Sequence, residues 1–593
     1  MDRYRAYTEF ENGAVRLYVN GEVVAPVIYG LSDIPASDSD TPQAQKNIRN
    51  FGCAGINLVQ VDTEIRQGWK ENGDFDILPI AYEVKGAVDA NPDAAVIIRL
   101  HMNPPYWWIM QNPDEWVVYY GFDTEDNGEQ VRLIGGDNEN RPRISFASEK
   151  WLSEAGEMLK KICELLPHTE AGKHVIGIQI AYGMYGEWHH FGKNPDYGKP
   201  VTKRFRRYLH EKYKTDEALQ RAWGNPDVTI ETAELAGAEK RNGDTVDAHL
   251  YDSLKVHQMI GPEAILHFAE IIKKNWKGEI LTGVFYGYYF NISPKSYVKG
   301  HLEPHMIYDS SFIDFLAAPL AYMANRPITG SPLPRGFIES ARINHKLWLT
   351  EMDQEPIGTD KQVGGLPEYR GESVAILRRN VLDNILRGAG CWYYDHRVVP
   401  DGSIFEKNGW WDEPSLMKEI EKIQAVAEEC AGKEYIPMAD VAVVYDTERL
   451  YKTTYNKWGE PENEYKVPHG VGHSGAMYDY IYLKDLKKAD VSRYKCIVFV
   501  NMDESEIEIP VGCHALFVNE GSPEFFREEF KKAGAHIYSD KNDVVVVGFD
   551  RIMLTVTVGG KREILLRNGK RVMLHVPDKT TLLINADTGK SEL

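Results

Sequence analysis

Cysteine is scarce. Six stand in 593 residues (Cys53, Cys163, Cys391, Cys430, Cys496 and Cys513), and no two form a Cys-x-x-Cys pair. That scatter excludes a disulfide scaffold and a structural zinc site built from paired ligands. Long apolar runs are also missing. No stretch approaches the ~20 apolar residues a membrane span needs. The N-terminal segment has no apolar core of the kind that marks a signal peptide. The expectation is a soluble protein of a reducing, cytoplasmic compartment. Positive charge is in deficit, with 68 Lys and Arg against 88 Asp and Glu, a net charge of −20. Such a chain repels phosphate backbones and anionic membrane surfaces, so neither nucleic acid nor membrane is an expected partner. A Gly-x-Ser-x-Gly elbow is absent, and no Cys-His pair sits in a nucleophile context, so a covalent Ser or Cys mechanism has nothing to rest on. The chain has no internal repeat and no low-complexity segment. Hydrophobic residues make up 43% and charged residues 26%, which excludes disorder or coiled coil as a global description. Tryptophan, by contrast, is plentiful and uneven: of 13, only Trp458 lies beyond Trp411. Tryptophan stacks well on flat apolar ligand faces, so the two parts of the chain have different tasks.

Between about residues 22 and 430, short apolar runs alternate with longer amphipathic segments. The runs cover 23–30, 55–62, 94–103, 174–183, 279–290, 312–322, 345–351 and 388–395. They are near-continuously apolar, as parallel strands covered on both faces must be. Segments 148–167, 202–213, 371–388 and 412–432 carry the helical spacing. Eight β/α units, with no Gly-x-Gly-x-x-Gly after the first run, predict a (β/α)8 barrel rather than an open doubly wound sheet. A hairpin with an Asn20-Gly21 turn precedes them, placed to plug the lower end of the barrel. Runs at 440–446, 494–501 and 513–521, a helical stretch at 478–490 and a helix at 523–534 predict a smaller α/β domain. The tail alternates in period two, with Gly-Gly and Asn-Gly turns, and predicts a small antiparallel β domain. The expected domains are 1–432, 433–535 and 536–593.

In a barrel, chemistry gathers where strands end at their C-terminal side. That rule selects His101, Asn103 and Trp107 after the third run, and Tyr182, Glu187, Trp188 and His189 after the fourth. It adds Tyr286 and Tyr288 after the fifth, Trp348 and Glu351 in the seventh, and Trp392 and Asp395 in the eighth. Glu187 and Glu351 end strands on opposite sides of the mouth, each among aromatics. Two carboxylates flanking one bond are what glycoside hydrolysis requires: one stays protonated for the leaving oxygen, and the other attacks the anomeric carbon or activates water. Aromatic, partly dry surroundings would raise the acid's pKa. The remaining residues of the set are candidates for stacking on sugar faces and bonding hydroxyls. Of Trp107 and Trp108, one is expected to be a platform and the other packing, while Trp410 and Trp411 are expected to anchor the last helix. A metal cluster of His189, His190, His101 and Asp395 is disfavoured, because adjacent histidines in a strand point to opposite sides. No metal and no cofactor are expected.

The stretches NPPYWW, GIQIAYGMYGEW, LWLTEMDQ, CWYYDHR and GWWDEP together resemble glycoside hydrolase family 42, the β-galactosidases and their relatives. The resemblance covers nearly the whole chain, and the 164-residue spacing from Glu187 to Glu351 is compatible with it. It implies a barrel, a flavodoxin- or amidotransferase-like trimerisation domain and a small β-sandwich. It also implies a retaining mechanism, with Glu187 as acid/base, Glu351 as nucleophile and the carboxyls roughly 5–5.5 Å apart. One departure stands out. The clan usually places an Asn before the acid/base to contact the sugar 2-hydroxyl, and this chain has Gly186 there. Asn103, His101 or His189 would then supply that contact. The resulting expectation is a retaining exo-β-glycosidase acting on short oligosaccharides, β-galactosidase-like, with β-mannoside, β-glucoside or β-glucuronide as alternative substrates. An inverting hydrolase and a non-catalytic carbohydrate-binding protein are the rival readings.

Overall fold

The computed structural model describes residues 3–593 apart from 33–38, 121–129, 132–141, 191–195, 238–239, 241–242, 291–299, 323–324, 355–369, 397–410, 412 and 454–460. Arg397 and Trp410 lie outside the described residues. The chain opens with an antiparallel sheet of β1 (Ala6–Glu11), β2 (Ala14–Val19) and β3 (Glu22–Val24). Asn20 and Gly21 both take left-handed backbone angles, φ +54° and +85°, as the tight turn between β2 and β3 requires. This sheet lies at the lower rim of the next unit: Tyr4 N–H donates to Lys173 O, and Arg342 donates to Gly13 O.

That unit is a closed barrel of eight parallel strands: β4 (Val27–Ser32), β5 (Leu58–Glu64), β6 (Ala95–His101), β7 (Val175–Ala181), β8 (Leu281–Phe285), β9 (Phe315–Pro319), β10 (Leu347–Met352) and β11 (Gly390–His396). Neighbours follow chain order and β11 closes on β4. The strands of β5 to β10 are buried along their whole length, which explains their unbroken apolar character. Helices α1 (Pro42–Cys53), α2 (Leu78–Ala90), α3 (Glu149–Leu165), α4 (Lys199–Tyr213), α5 (Ala248–Asn275), α6 (Arg370–Leu386) and α7 (Pro414–Ala431) belong to the outer layer. In α3, Ser148 Oγ caps Trp151 N at 3.0 Å, and Trp151, Ala155, Met158, Leu159 and Ile162 form one buried stripe.

Beyond the barrel lies a four-stranded parallel sheet of β12 (Val441–Tyr445), β13 (Tyr478–Tyr482), β14 (Cys496–Val500) and β15 (His514–Val518), ordered β13-β12-β14-β15. Here one expectation is corrected. Residues 478–490 form a strand and then a single helical turn, Leu483–Leu486, not one helix. The helical pattern resides in the lysine-rich half. The aromatic half is buried on both faces, and its backbone pairs with β12. This strand holds the middle unit against its own barrel. Tyr482 N–H donates to Ser340 Oγ at 2.9 Å, and Arg387 donates to Tyr478 O at 2.6 Å. Helix α8 (Pro523–Ala533) follows. The chain ends in antiparallel sheets: β16 (Val544–Gly548), β17 (Arg551–Val556) and β20 (Thr580–Asn585) in one, β18 (Gly560–Leu565) and β19 (Arg571–Val576) in the other. All six cysteines are free, and among the described residues no helix is long and apolar enough to cross a membrane.

Candidate active site

Strand β7 ends in a tightly wound loop. Trp188 N–H returns to Tyr182 O at 2.7 Å, Met184 N–H bonds His189 O at 3.1 Å and Glu187 N–H bonds Met184 O at 3.1 Å. Gly183, Tyr185, Gly186 and Trp188 all have φ between +58° and +80°. Two of them are not glycine, so the loop stores about 1–3 kcal/mol of strain at each. The result projects Glu187 over the mouth with its side chain 14% exposed, Oε2 lying 3.3 Å from His189 Nε2 and 4.0 Å from Arg335 Nη1.

Glu351 lies near the end of β10, in register with Pro319 of β9 and Trp392 of β11. It is almost fully buried. Trp392 shares its face and turns into the barrel, with its ring 5.1 Å from that of Phe285 and 5.9 Å from the Arg99 guanidinium. Both glutamates act electrostatically on Tyr288. Burial pushes its phenol well above the usual range. The Glu187 charge adds to that push, Arg335 opposes it, and Glu351 adds again. Tyr288 therefore keeps its proton and stays within electrostatic reach of both carboxylates. Its hydroxyl has no hydrogen-bond partner among the described residues. His301 supports it from behind: Nδ1 accepts Tyr288 N–H at 3.4 Å, and the ring stacks on Tyr286 at 4.7 Å. Burial, then the nearby His189, hold His301 far below its usual pKa, so it stays neutral.

Gly186 is explained by its surroundings. A Cβ there would stand 2.8 Å from His101 Cε1 and 3.0 Å from Arg99 Nη2. The room that an asparagine side chain would need is filled by those two groups. His101 is itself fixed by Asp62 at 3.3 Å, and Arg99 donates to Tyr185 O.

Residues 88–226 match the family-42 glycoside hydrolase model, described as beta-galactosidase. The matched segment carries His101, Glu187 and His189. A family-42 β-galactosidase from G. stearothermophilus is similar in structure, with a TM-score of 0.64 at 11% identity over 98% of this chain and 99% of that one. A β-galactosidase from Bacillus circulans sp. alkalophilus gives a TM-score of 0.62 at 12% identity, over 94% of this chain and 98% of that one. An exo-carrageenase of the same family, from Bacteroides ovatus, gives 0.58 at 11% identity, over 98% and 85%. No curated protein matches the chain by sequence.

Within the barrel the other selected residues separate into two groups. His101, His189, Tyr288 and Trp392 surround the two glutamates as described. Asn103 is half-buried after β6. Trp107 is half-buried, edge-on to Trp69 at 6.1 Å, whereas Trp108 is packing, its Nε1 donating to Glu154 at 2.6 Å. Tyr286 is spent on Gly300 O at 2.9 Å, behind the site. Four expected sugar contacts are corrected. Tyr182 is sealed against Trp151 and Phe146, its hydroxyl bonded to Ile144. Trp188 is buried, with Nε1 on Ile180 O at 3.0 Å. Trp348 lies an odd number of residues from Glu351 and so faces outward, its Nε1 on Thr350 Oγ1 at 2.9 Å. Asp395 also faces outward, accepting from Tyr29 at 2.8 Å and from Asn47 of α1 at 2.7 Å.

Sequence reading missed Asp62, Arg99 and Arg335. The first two sit at alternate positions near the ends of β5 and β6, and the strand-end rule applied to polar residues would have found them. Arg335 has no such signal, since it follows β9 by a loop. Among the described residues, no group of three or more His, Cys, Asp or Glu is placed to hold a metal ion.

Proposed function

We propose that the protein is a retaining exo-β-glycosidase that releases terminal β-linked sugars from short oligosaccharides. The observation that carries this reading is Tyr288, a neutral buried phenol whose ionisation is opposed by both Glu187 and Glu351. Two carboxylates that share one neighbour at the mouth of a barrel can flank one bond. Glu351, low in the wall, attacks the anomeric carbon. Glu187, on the loop above, gives its proton to the leaving oxygen. In the second half-reaction Glu187 takes a proton from water, which attacks the same carbon and releases the sugar with its configuration retained. His101, in the space denied to residue 186, is placed to take the 2-hydroxyl contact, with Asn103, two residues on, and His189 of the β7 loop as the other candidates. Trp392 offers an apolar floor.

The family-42 neighbours are β-galactosidases and an exo-carrageenase, so a galactoside is the first sugar to try. A screen of nitrophenyl β-galactoside, β-mannoside, β-glucoside and β-glucuronide names the glycone, and proton NMR of the first-formed anomer tests retention. An inverted product would replace the nucleophile role of Glu351 with that of a base. In Glu351→Ala, azide should restore turnover and yield the glycosyl azide of inverted configuration. In Glu187→Ala it should yield the retained one. Turnover by Glu351→Gln at the wild-type rate would end the assignment. The same reading divides the chain at about 432 and 535, places it in the cytoplasm, and makes it a trimer through its middle unit. Light scattering on the purified protein tests the last point.

A further inference from the structure

Among the described residues, Arg335 is the guanidinium within ion-pair reach of Glu187, and this inference rests on the glycosidase reading of that site. It is 1% exposed. It lies over the rings of Tyr288 at 5.2 Å and Tyr322 at 4.4 Å, and its nearest anion is Glu187, at 4.0 Å. Its Nε and Nη2 have no hydrogen-bond partner among the described residues. The neighbouring Arg326 is better satisfied, with only its Nε left without a partner among the described residues. Arg326 Nη2 grips both oxygens of Asp353, at 2.6 and 2.7 Å, and its Nη1 reaches Asp353 O at 3.0 Å. A buried guanidinium with idle donors costs free energy that a packed apolar residue would not.

The placement is also wrong for a neutral substrate. A general acid must hold its proton when the sugar is bound, and a cation beside it favours the carboxylate instead. An anion delivered with the sugar would change both facts. It would occupy the idle Nε and Nη2, which present the planar fork suited to carboxylate or sulfate oxygens. It would also neutralise the charge that works against protonated Glu187. We propose that the sugar cleaved here carries an anionic substituent, a ring carboxylate or a sulfate ester, and that Arg335 binds it. Tyr322 braces that arginine, its own hydroxyl spent on Asp353 at 2.7 Å. The middle unit braces the wall behind, where Tyr289 and Phe290 N–H both bond Arg335 O and the Tyr289 ring packs at a tilt against Tyr445.

The test compares kcat/KM on nitrophenyl β-galactoside, its 6-sulfate, nitrophenyl β-galacturonide and β-glucuronide, for wild type, Arg335→Lys and Arg335→Met. Wild type should prefer an anionic glycoside over the neutral one by about tenfold or more, and the sulfate and carboxylate arms identify the group. Arg335→Met should lose the preference mainly through KM, and Arg335→Lys should keep part of it. Equal or better turnover of the neutral glycoside by wild type overturns the proposal, as does a preference that survives in Arg335→Met. Binding is read separately, as the rise in thermal midpoint with millimolar galactose 6-sulfate, galacturonate, glucuronate or galactose. If no glycoside is cleaved but an anionic sugar protects wild type and not Arg335→Met, the catalytic reading fails and the Arg335 site stands. If nothing is cleaved and no anionic sugar protects, both fail.

Discussion

Replacing Tyr288 by Phe should separate stability from catalysis. The hydroxyl is buried and without a hydrogen-bond partner among the described residues. Such a group costs the folded state about 1–3 kcal/mol relative to one that is bonded. Phe keeps the ring that packs on His301 at 4.5 Å and lies beneath Arg335. The variant should therefore melt at or above the wild-type midpoint. Catalysis should move the other way. As substrate closes the site, the phenol becomes a donor to a carboxylate, a bond worth about 1.5–3 kcal/mol. At about 1.4 kcal/mol per factor of ten, losing it should lower kcat by about 10- to 150-fold. KM should change little, because the hydroxyl serves the reacting carboxylates rather than the sugar. Steady-state kinetics on the best nitrophenyl glycoside and a thermal melt, run on the same preparation, read both quantities. A variant with wild-type kcat and a lowered midpoint would refute the reasoning, since it would make the hydroxyl a structural bond.

Gly186→Ala should be severely damaging, because a left-handed residue with a Cβ costs about 1–2 kcal/mol and the new atom also displaces His101 and Arg99. Activity should fall together with the thermal midpoint, and an active, stable variant would contradict the crowding described. Trp348→Phe should lower the midpoint, because it empties part of a buried site and removes the indole bond to Thr350, whose hydroxyl still donates to Asn384, yet leave KM for every glycoside unchanged. Asp196 provides a pH test. Burial raises its carboxyl from 3.8 to about 6, even though it accepts N–H bonds from Val118 and Gly198. Between roughly pH 4 and 6 the unfolded chain releases a proton that the folded chain keeps, so stability falls as pH rises through that window, by roughly 3 kcal/mol at most. Asp196→Asn keeps an acceptor oxygen and should flatten that part of the denaturation-versus-pH curve, and an unchanged slope would exclude Asp196 as its source.

Much of this molecule is visible in its linear order. Eight apolar runs become eight barrel strands because a strand covered on both faces has no polar side to show. The rule that barrels work at their C-terminal rim then singles out Glu187 and Glu351. It fails for Trp348 and Asp395, since it says how far along a strand a residue lies and not which face it takes. Parity with Glu351 was enough to turn Trp348 outward, so that error was avoidable. The strand at 478–482 was hidden for a different reason: a five-residue aromatic run fits either period, and only pairing with β12 decides it.

The sequence alone therefore determined the barrel and its order, and nominated the two carboxylates, because hydrophobic periodicity and chain order are local properties. Tertiary structure decided what surrounds those carboxylates. Tyr288 from just beyond β8, His101 and Arg99 from β6, and Arg335 from beyond β9 meet at one point because the sheet closes on itself. No spacing along the chain encodes that meeting. Gly186 is glycine, and Arg335 is short of a partner, for reasons held entirely in that closure.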